Sequence, residues 1–252
     1  MIFSIIIPAY NESKYLESTL KNLTKVFSDI ELKQSDWEVI VCDNNSTDNT
    51  RAIAEDNGAK VVFEPDNQIS KARNKGAEVA EGDWLIFVDA DSYPNKGLIK
   101  ELLLVIDSNK YIGCGTTIEV IDGTLFNKLR LERMNPFYRL FKLSGGAFIL
   151  CKKDAFIEIN GFSSNLYAYE EIDFVIRLKK YGKKKNKKFS VLSTYPVLTS
   201  GRKGEYNLRS MLRLFVSGFI APILLLLNYI LPKRFVKLIG NKMLTYWYSD
   251  RK

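Results

Sequence analysis

Four strand-length apolar runs, Phe3 to Pro8, Glu38 to Cys42, Lys60 to Phe63 and Trp84 to Val88, alternate with helix-like stretches over the first 90 residues. Runs of this length and apolarity are read as strands buried on both faces. After the first of them, Leu16, Leu20, Leu23 and Phe27 recur at helical spacing behind the polar start Asn11 to Ser13. Ser46 or Thr47 is expected to cap a second helix running to Gly58, and Ser70 to open a third that ends near Gly82. Strands alternating with helices predict an α/β fold, a mostly parallel, doubly wound sheet with helices on both faces.

Beyond Asp107 the rhythm changes. Tyr111 to Ile121 alternates like an antiparallel strand, Leu143 to Leu150 is an apolar run containing Gly145 and Gly146, and Glu170 to Tyr181 carries a helical pattern. The expected organisation is one domain over 1–205, divided into halves 1–107 and 108–205, followed by a hydrophobic, basic segment over 206–252. The chain has no histidine among its 252 residues, which excludes Ser-His-Asp and Cys-His catalysis and leaves proton transfer to carboxylates, Lys or Tyr. Cys42, Cys114 and Cys151 are widely spaced, arguing against a zinc site or a disulfide framework and for a reducing compartment. A formal charge of +8 favours anionic partners. The apolar N-terminus has no basic lead and is read as a strand rather than a secretory signal.

The fourth run ends in Asp89-Ala-Asp91. Ligands of open α/β sheets bind at the carboxyl ends of the strands. In extended chain, residues two apart share a side, so both acids are expected to approach one hard divalent cation, Mg²⁺ or Mn²⁺. An Asp-x-Asp pair by itself reads as readily as a solvated turn. It stands in company, however: Pro8-Ala-Tyr-Asn-Glu12 follows the first strand and Asp43-Asn-Asn-Ser-Thr-Asp48 the second, so three strand ends bring polar groups to one edge.

The ordered motifs Ser4-Ile-Ile-Ile-Pro-Ala-Tyr-Asn-Glu12, Val41-Cys-Asp-Asn-Asn-Ser-Thr-Asp48, Ser70-Lys-Ala-Arg-Asn-Lys-Gly76, Gly82-Asp-Trp-Leu-Ile-Phe-Val-Asp-Ala-Asp91 and Tyr169-Glu-Glu-Ile-Asp-Phe174 make the chain resemble the family-2 glycosyltransferases over about residues 2–205. The resemblance implies the GT-A fold, a Rossmann-like sheet, with a C-terminal hydrophobic helical segment appended here. It also implies an inverting, metal-dependent transfer of one hexosyl or N-acetylhexosaminyl unit from a nucleotide-sugar, a UDP-sugar, to an acceptor hydroxyl.

By the same resemblance, Pro8, Ala9, Tyr10, Glu12, Asp43, Asn45, Lys71, Arg73, Asp89, Ala90, Asp91, Gly146 and Arg202 would bind the donor. Tyr10 would face the nucleobase, Glu12 the nucleoside, and Asp43 the uracil N3-H. Arg73, with Lys71 as a weaker candidate, would neutralise the diphosphate; a surface-helix role fits Lys71 equally well. Of the metal pair Asp91 and Asp89, Asp91 would coordinate the metal and the leaving phosphates, and Asp89 would contact the ribose or a metal-bound water. Glu171 takes the position of the catalytic base, with Glu170 second, while Asp173 contacts the acceptor or anchors the loop; the helix start favours their ionised forms. Gly146 fits either a close backbone approach or an ordinary β-bulge. Arg202, in Thr199-Ser-Gly-Arg-Lys203, would clamp the pyrophosphate.

From Leu214 to Pro232 there are 19 residues without a charge, flanked by basic residues. With Pro222 and Asn228 inside it, the stretch suits an interfacial segment, a short span or a packed helix pair. Together with the basic run Lys179 to Lys188 it suggests a glycan or lipid-linked acceptor and a place at the cytoplasmic face of a membrane. The basic run lacks interleaved aromatics, against nucleic acid. The alternatives are a nucleotidyltransferase, which would be expected to carry a glycine-rich phosphate loop where Pro8-Ala-Tyr-Asn stands, and a non-catalytic, membrane-associated nucleotide-sugar binder.

Overall fold

The computed structural model describes residues 2–122, 134–166 and 169–201. Its chain order is β1 (Phe3–Ala9), α1 (Leu16–Asp29), β2 (Trp37–Asp43), α2 (Thr50–Asp56), β3 (Lys60–Phe63), α3 (Ile69–Glu78), β4 (Trp84–Val88), β5 (Ser92–Tyr93), α4 (Lys96–Asp107) and β6 (Tyr111–Val120). A helical segment over 134–141 (α5) follows, then β7 (Phe148–Lys152), α6 (Lys153–Glu158), α7 (Glu170–Lys184) and β8 (Lys188–Thr199).

The strands form one sheet in the order β3-β2-β1-β4-β7-β6-β8-β5. The β3-β2-β1-β4 half is parallel, as the strand-helix alternation predicts. β7 then enters antiparallel to β4, and β6 lies antiparallel to β7 but parallel to β8. The antiparallel expectation for β6 therefore holds against one neighbour only.

Alternation along the strands divides the core. Phe3, Ile5 and Ile7 of β1 and Trp84, Ile86 and Val88 of β4 pack with Leu16, Leu20, Leu23 and Phe27 of α1 and Leu98, Ile99 and Leu102 of α4. Ile6, Leu85 and Phe87 face the other way, onto Ala77 of α3, Phe156 of α6 and Ile172, Phe174 and Leu178 of α7. Both faces are thus covered, which is why the strand sequences read as unbroken apolar runs. Each fully buried Leu, Ile or Phe contributes about 1.5–3 kcal/mol relative to an exposed one.

Register decides what shares an edge. Ala9 pairs with Asp43, and Val88 with Phe148, so the ends of β1, β2 and β4 meet the start of β7. Thr199 pairs with Val120 and Ser92, bringing the end of β8 to that edge too.

Several local expectations shift. α2 begins at Thr50 with no side-chain cap, because Ser46 and Thr47 bond instead to Asn11 in the neighbouring loop. α3 starts one residue before Ser70 and stops at Glu78 rather than near Gly82. β7 starts at Phe148, so Gly145 and Gly146 precede the strand and form no bulge within it. No described helix is long and apolar enough to cross a membrane, and the 214–232 stretch lies outside the described residues.

Candidate active site

The loops after β1 and β2 are sewn together by side chains. Thr50 Oγ1 accepts from the Glu12 N–H at 2.7 Å, Asp48 Oδ2 from the Ser13 N–H at 3.1 Å, and Asn11 Oδ1 from the Thr47 N–H at 2.8 Å. Asn11 and Asn45 adopt left-handed backbone at φ 54° and 65°, a conformation asparagine tolerates better than most residues. Asp43 is buried at the floor of this pair of loops; its Oδ1 accepts from the Ser46 N–H at 2.9 Å. Glu12 is buried beside it, Tyr10 is half-buried and Asn45 is exposed.

The acidic pair lies in a turn. The Ser92 N–H donates to the Asp89 carbonyl at 3.0 Å, and Thr19 Oγ1 of α1 donates to the Ala90 carbonyl at 2.7 Å. The extended geometry expected to aim both carboxylates to one side ends at Val88. Asp89 turns toward α3, whereas Asp91 Oδ2 accepts from Ser200 Oγ at 2.6 Å, just past β8. Among the described residues no group of three His, Cys, Asp or Glu is placed to hold a metal. What is present is two hard oxygen donors at the strand edge, with the Asp89 side chain 23% exposed. That set suits Mg²⁺ or Mn²⁺ taking its other ligands from water and a ligand's phosphates.

Arg73 is the centre of the arrangement. Its side chain is 2% exposed; Nη1 donates to Glu170 Oε1 at 2.8 Å, and Nη2 donates to Asp89 Oδ1 at 3.1 Å and to the Gly146 carbonyl at 3.3 Å. The guanidinium also lies over the Phe162 ring, 5.1 Å from its centroid. Burial alone would lower its pKa, but Asp89, Glu170 and Glu171 outweigh burial and hold it above its ordinary value. The guanidinium is thus enclosed, with both terminal nitrogens engaged by Glu170, Asp89 and the Gly146 carbonyl, the surroundings a buried cation requires.

Gly146 belongs to the same knot. A Cβ there would lie 2.6 Å from Arg73 Nη2, and the pinned guanidinium has little room to yield. Gly146→Ala is expected to lower stability by about 1–3 kcal/mol through overpacking, read as a fall in melting temperature.

The acidic helix start separates into three roles. Glu170 is buried and committed to Arg73. Asp173 Oδ2 pairs with Arg177 at 2.7 Å, and Arg177 Nη1 reaches the Ile159 carbonyl at 2.6 Å, so Asp173 anchors the preceding loop. Glu171 has no partner among the described side chains, and it keeps partial solvent exposure. Burial and the Glu170 charge push its carboxyl up to about 8, against the opposing pull of Arg73. Tyr169, left-handed at φ 60°, turns the chain into the helix just ahead of these acids.

Lys71 Nζ pairs with the exposed Asp66 carboxylate. Arg202 lies outside the described residues. Ser200, Asn74, Gln68 and Phe162 were not singled out by the sequence pattern. Two signals pointed their way: Asn74 directly follows Arg73, and Phe162 follows an Asn-Gly turn pair.

The family model for glycosyl transferase family 2 matches residues 4–163. The chain is a family-2 glycosyltransferase. An uncharacterized glycosyltransferase of Haemophilus influenzae is 28% identical over 195 residues, covering 70% of this chain and 62% of that protein. The poly(ribitol-phosphate) β-N-acetylglucosaminyltransferase TarS of Staphylococcus aureus is 34% identical over 115 residues, 43% of this chain and 19% of TarS. The chain therefore spans less than two thirds of either relative. A crystal structure of TarS residues 1–349 superposes with a TM-score of 0.63 at 25% identity, covering 79% of this chain and 60% of that one. The mannosyltransferase PcManGT of Pyrobaculum calidifontis, solved with GDP-Man and Mn²⁺, shares the fold at a TM-score of 0.65 and 17% identity, covering 88% and 64%. The family-2 glycosyltransferase thus has the GT-A architecture expected from its motifs.

Proposed function

We propose that this family-2 glycosyltransferase moves one sugar from a UDP-sugar to an acceptor hydroxyl, with inversion at the anomeric carbon. The observation that carries the proposal is the division of labour at the helix start. Arg73 engages Glu170 and Asp89, and Arg177 engages Asp173, which leaves Glu171 as the acid of the helix start with no ion pair among the described residues.

The donor would lie along the ends of β1, β2 and β4. Asp43 spends one carboxylate oxygen on Ser46, and the other is available to accept from a uracil N3-H. Tyr10 and Glu12, in the loop after β1, would lie beside the nucleoside, with Pro8, Ala9 and Asn45 next to them in the two loops. TarS, which has been crystallised with UDP and with UDP-GlcNAc, supports a uridine donor and makes UDP-GlcNAc the first to test. Asp91 and Asp89 would hold Mg²⁺ or Mn²⁺, which when bound supplies positive charge against the diphosphate. Ser200 orients Asp91, and Arg73 holds Asp89 at the strand end.

On the acceptor side, an ionised Glu171 removes the hydroxyl proton as the oxygen attacks. The bond to the nucleoside diphosphate breaks on the opposite face, so an α-linked donor gives a β-glycoside. The basic run starts at Lys179 in the second half of α7, about 12 Å from Glu171 along the axis, reaches the helix end at Lys184, about 20 Å away, and continues to Lys188 at the start of β8. That basic end offers a surface for an anionic or lipid-linked acceptor.

Thermal stabilisation by a panel of nucleotide-sugars, with and without Mn²⁺, tests the donor. UDP and UDP-GlcNAc at about 100 times their Kd should stabilise by about 2.7 kcal/mol, and Asp43→Ala should remove that gain. Stabilisation by purine-linked sugars alone would overturn the uridine assignment.

A further inference from the structure

The segment ahead of the acidic helix start is held from below by α3. Asn74 acts as a two-way amide: its Nδ2 donates to the Phe162 carbonyl at 2.9 Å, and its Oδ1 accepts from the Phe162 N–H at 2.9 Å. Gln68, at the other end of α3's first turns, donates through Nε2 to the Ser164 and Leu166 carbonyls at 2.8 and 3.1 Å. The chain reaches Asn74 through two consecutive left-handed residues, Asn160 at φ 57° and Gly161 at φ 55°. A Cβ on Gly161 would stand 2.6 Å from Asn74 Oδ1, so the close approach requires glycine.

The Phe162 ring links this clamp to the site. It stacks on Phe174 of α7 at 4.2 Å and 21°, meets Phe87 of β4 edge-on at 4.9 Å, and carries the Arg73 guanidinium on its face. Three elements that bear site residues therefore converge on one side chain: α3 with Arg73, β4 leading to Asp89, and α7 with Glu170 and Glu171. A one-residue slip of the 161–166 loop would move the start of α7 relative to Arg73, separating the pair that leaves Glu171 available.

We propose that Asn74 and Phe162 are positioning residues for the reaction, setting the height of the α7 N-terminus against α3 so that Arg73 engages Glu170 and Glu171 faces the acceptor. The proposal rests on the transferase reading above. It concerns the acceptor half of the site, since the hydrogen bonds of Asn74 and the ring contacts of Phe162 run to each other and to β4, α3, α6 and α7.

The test compares full-length Asn74→Ala, Asn74→Asp, Glu171→Gln and Asn57→Ala. The last removes a bond of similar length, Asn57 Nδ2 to the Ile53 carbonyl at 2.8 Å, far from the site. UDP release from UDP-GlcNAc and UDP binding with Mn²⁺ are measured on each. Asn74→Ala is expected to lower kcat by roughly 10–100-fold, since misplacing reacting groups by about 1 Å can cost about 10²-fold. UDP affinity should stay within about twofold of wild type, and Asn57→Ala should leave kcat unchanged. Asn74→Asp keeps the bond from Phe162 N–H and loses the one to its carbonyl, so an intermediate fall is expected; it carries the same prediction should Asn74→Ala not fold. Unchanged kcat in both Asn74 variants, or equal loss of UDP binding and kcat, overturns the proposal. If Glu171→Gln also retains full activity, the base assignment itself falls; if only the Asn74 prediction fails, that assignment stands.

Discussion

Replacing Glu171 by Gln is expected to reduce sugar transfer by roughly 10²–10⁴-fold, the usual share of a general base, while UDP binding persists. The substitution keeps the side chain's size and removes only its capacity to take a proton. Glu170 is a poor substitute because its carboxylate is already bonded to Arg73, and Asp173 is bound to Arg177. The pH dependence has a defined sign. Burial first, and the charge of Glu170 second, raise the Glu171 carboxyl to about 8, so below that pH the group is largely protonated and cannot act as a base. In the wild type kcat/KM should rise with pH toward about 8, and that rise should be missing in Glu171→Gln. A rate profile flat from pH 5 to about 8, or wild-type turnover in the variant, would remove Glu171 from the mechanism.

The second large effect is on stability. Arg73→Met is expected to destabilise the fold by about 3–5 kcal/mol, because it leaves buried Glu170 without its cation. For a chain of this size that corresponds to a fall in melting temperature of roughly 6–20 °C. Arg73→Lys should recover only part of the loss: one ammonium replaces a planar fork that reaches Glu170, Asp89 and the Gly146 carbonyl together. Removing the guanidinium also removes the neighbouring positive charge that lowers the Glu171 carboxyl, so any activity that survives should need a higher pH. Thermal melts and rate-pH profiles on Arg73→Met and Arg73→Lys check both points. A loss of UDP binding with unchanged stability would return Arg73 to the diphosphate.

Much of the parallel half of the molecule was legible because local sequence and tertiary role coincide there. Lys60 to Phe63 and Trp84 to Val88 are strands over the very residues their apolar pattern marks. Trp84 to Val88 is buried on both faces, which imposes an apolar run, whereas Lys60 to Phe63 is an edge strand with exposed ends, marked by its valines. The antiparallel half was harder to read. The run Leu143 to Leu150 begins as a loop and becomes strand only at Phe148, because Ser144 to Gly146 is shaped by contact with Arg73 and with β6 rather than by its own pattern. Capping was misread for a similar reason. Ser46 and Thr47 have good cap chemistry, but Asn11, 35 and 36 residues away in sequence, competes for them and wins.

Family membership, the parallel character of the first half of the sheet and the set of acidic residues at strand ends followed from sequence alone, since motif spacing and hydrophobic period are local properties of the chain. Which acid is spent and which is free is not local. Glu170 and Glu171 are adjacent and chemically equivalent in sequence. They are distinguished by an arginine 97 residues earlier, which is hydrogen-bonded to Glu170 while it acts on Glu171 only through its charge. The same packing engages both terminal nitrogens of Arg73 with Glu170, Asp89 and the Gly146 carbonyl. A buried guanidinium is stable only when its donors are met by charge, and the tertiary structure alone decides which charges those are.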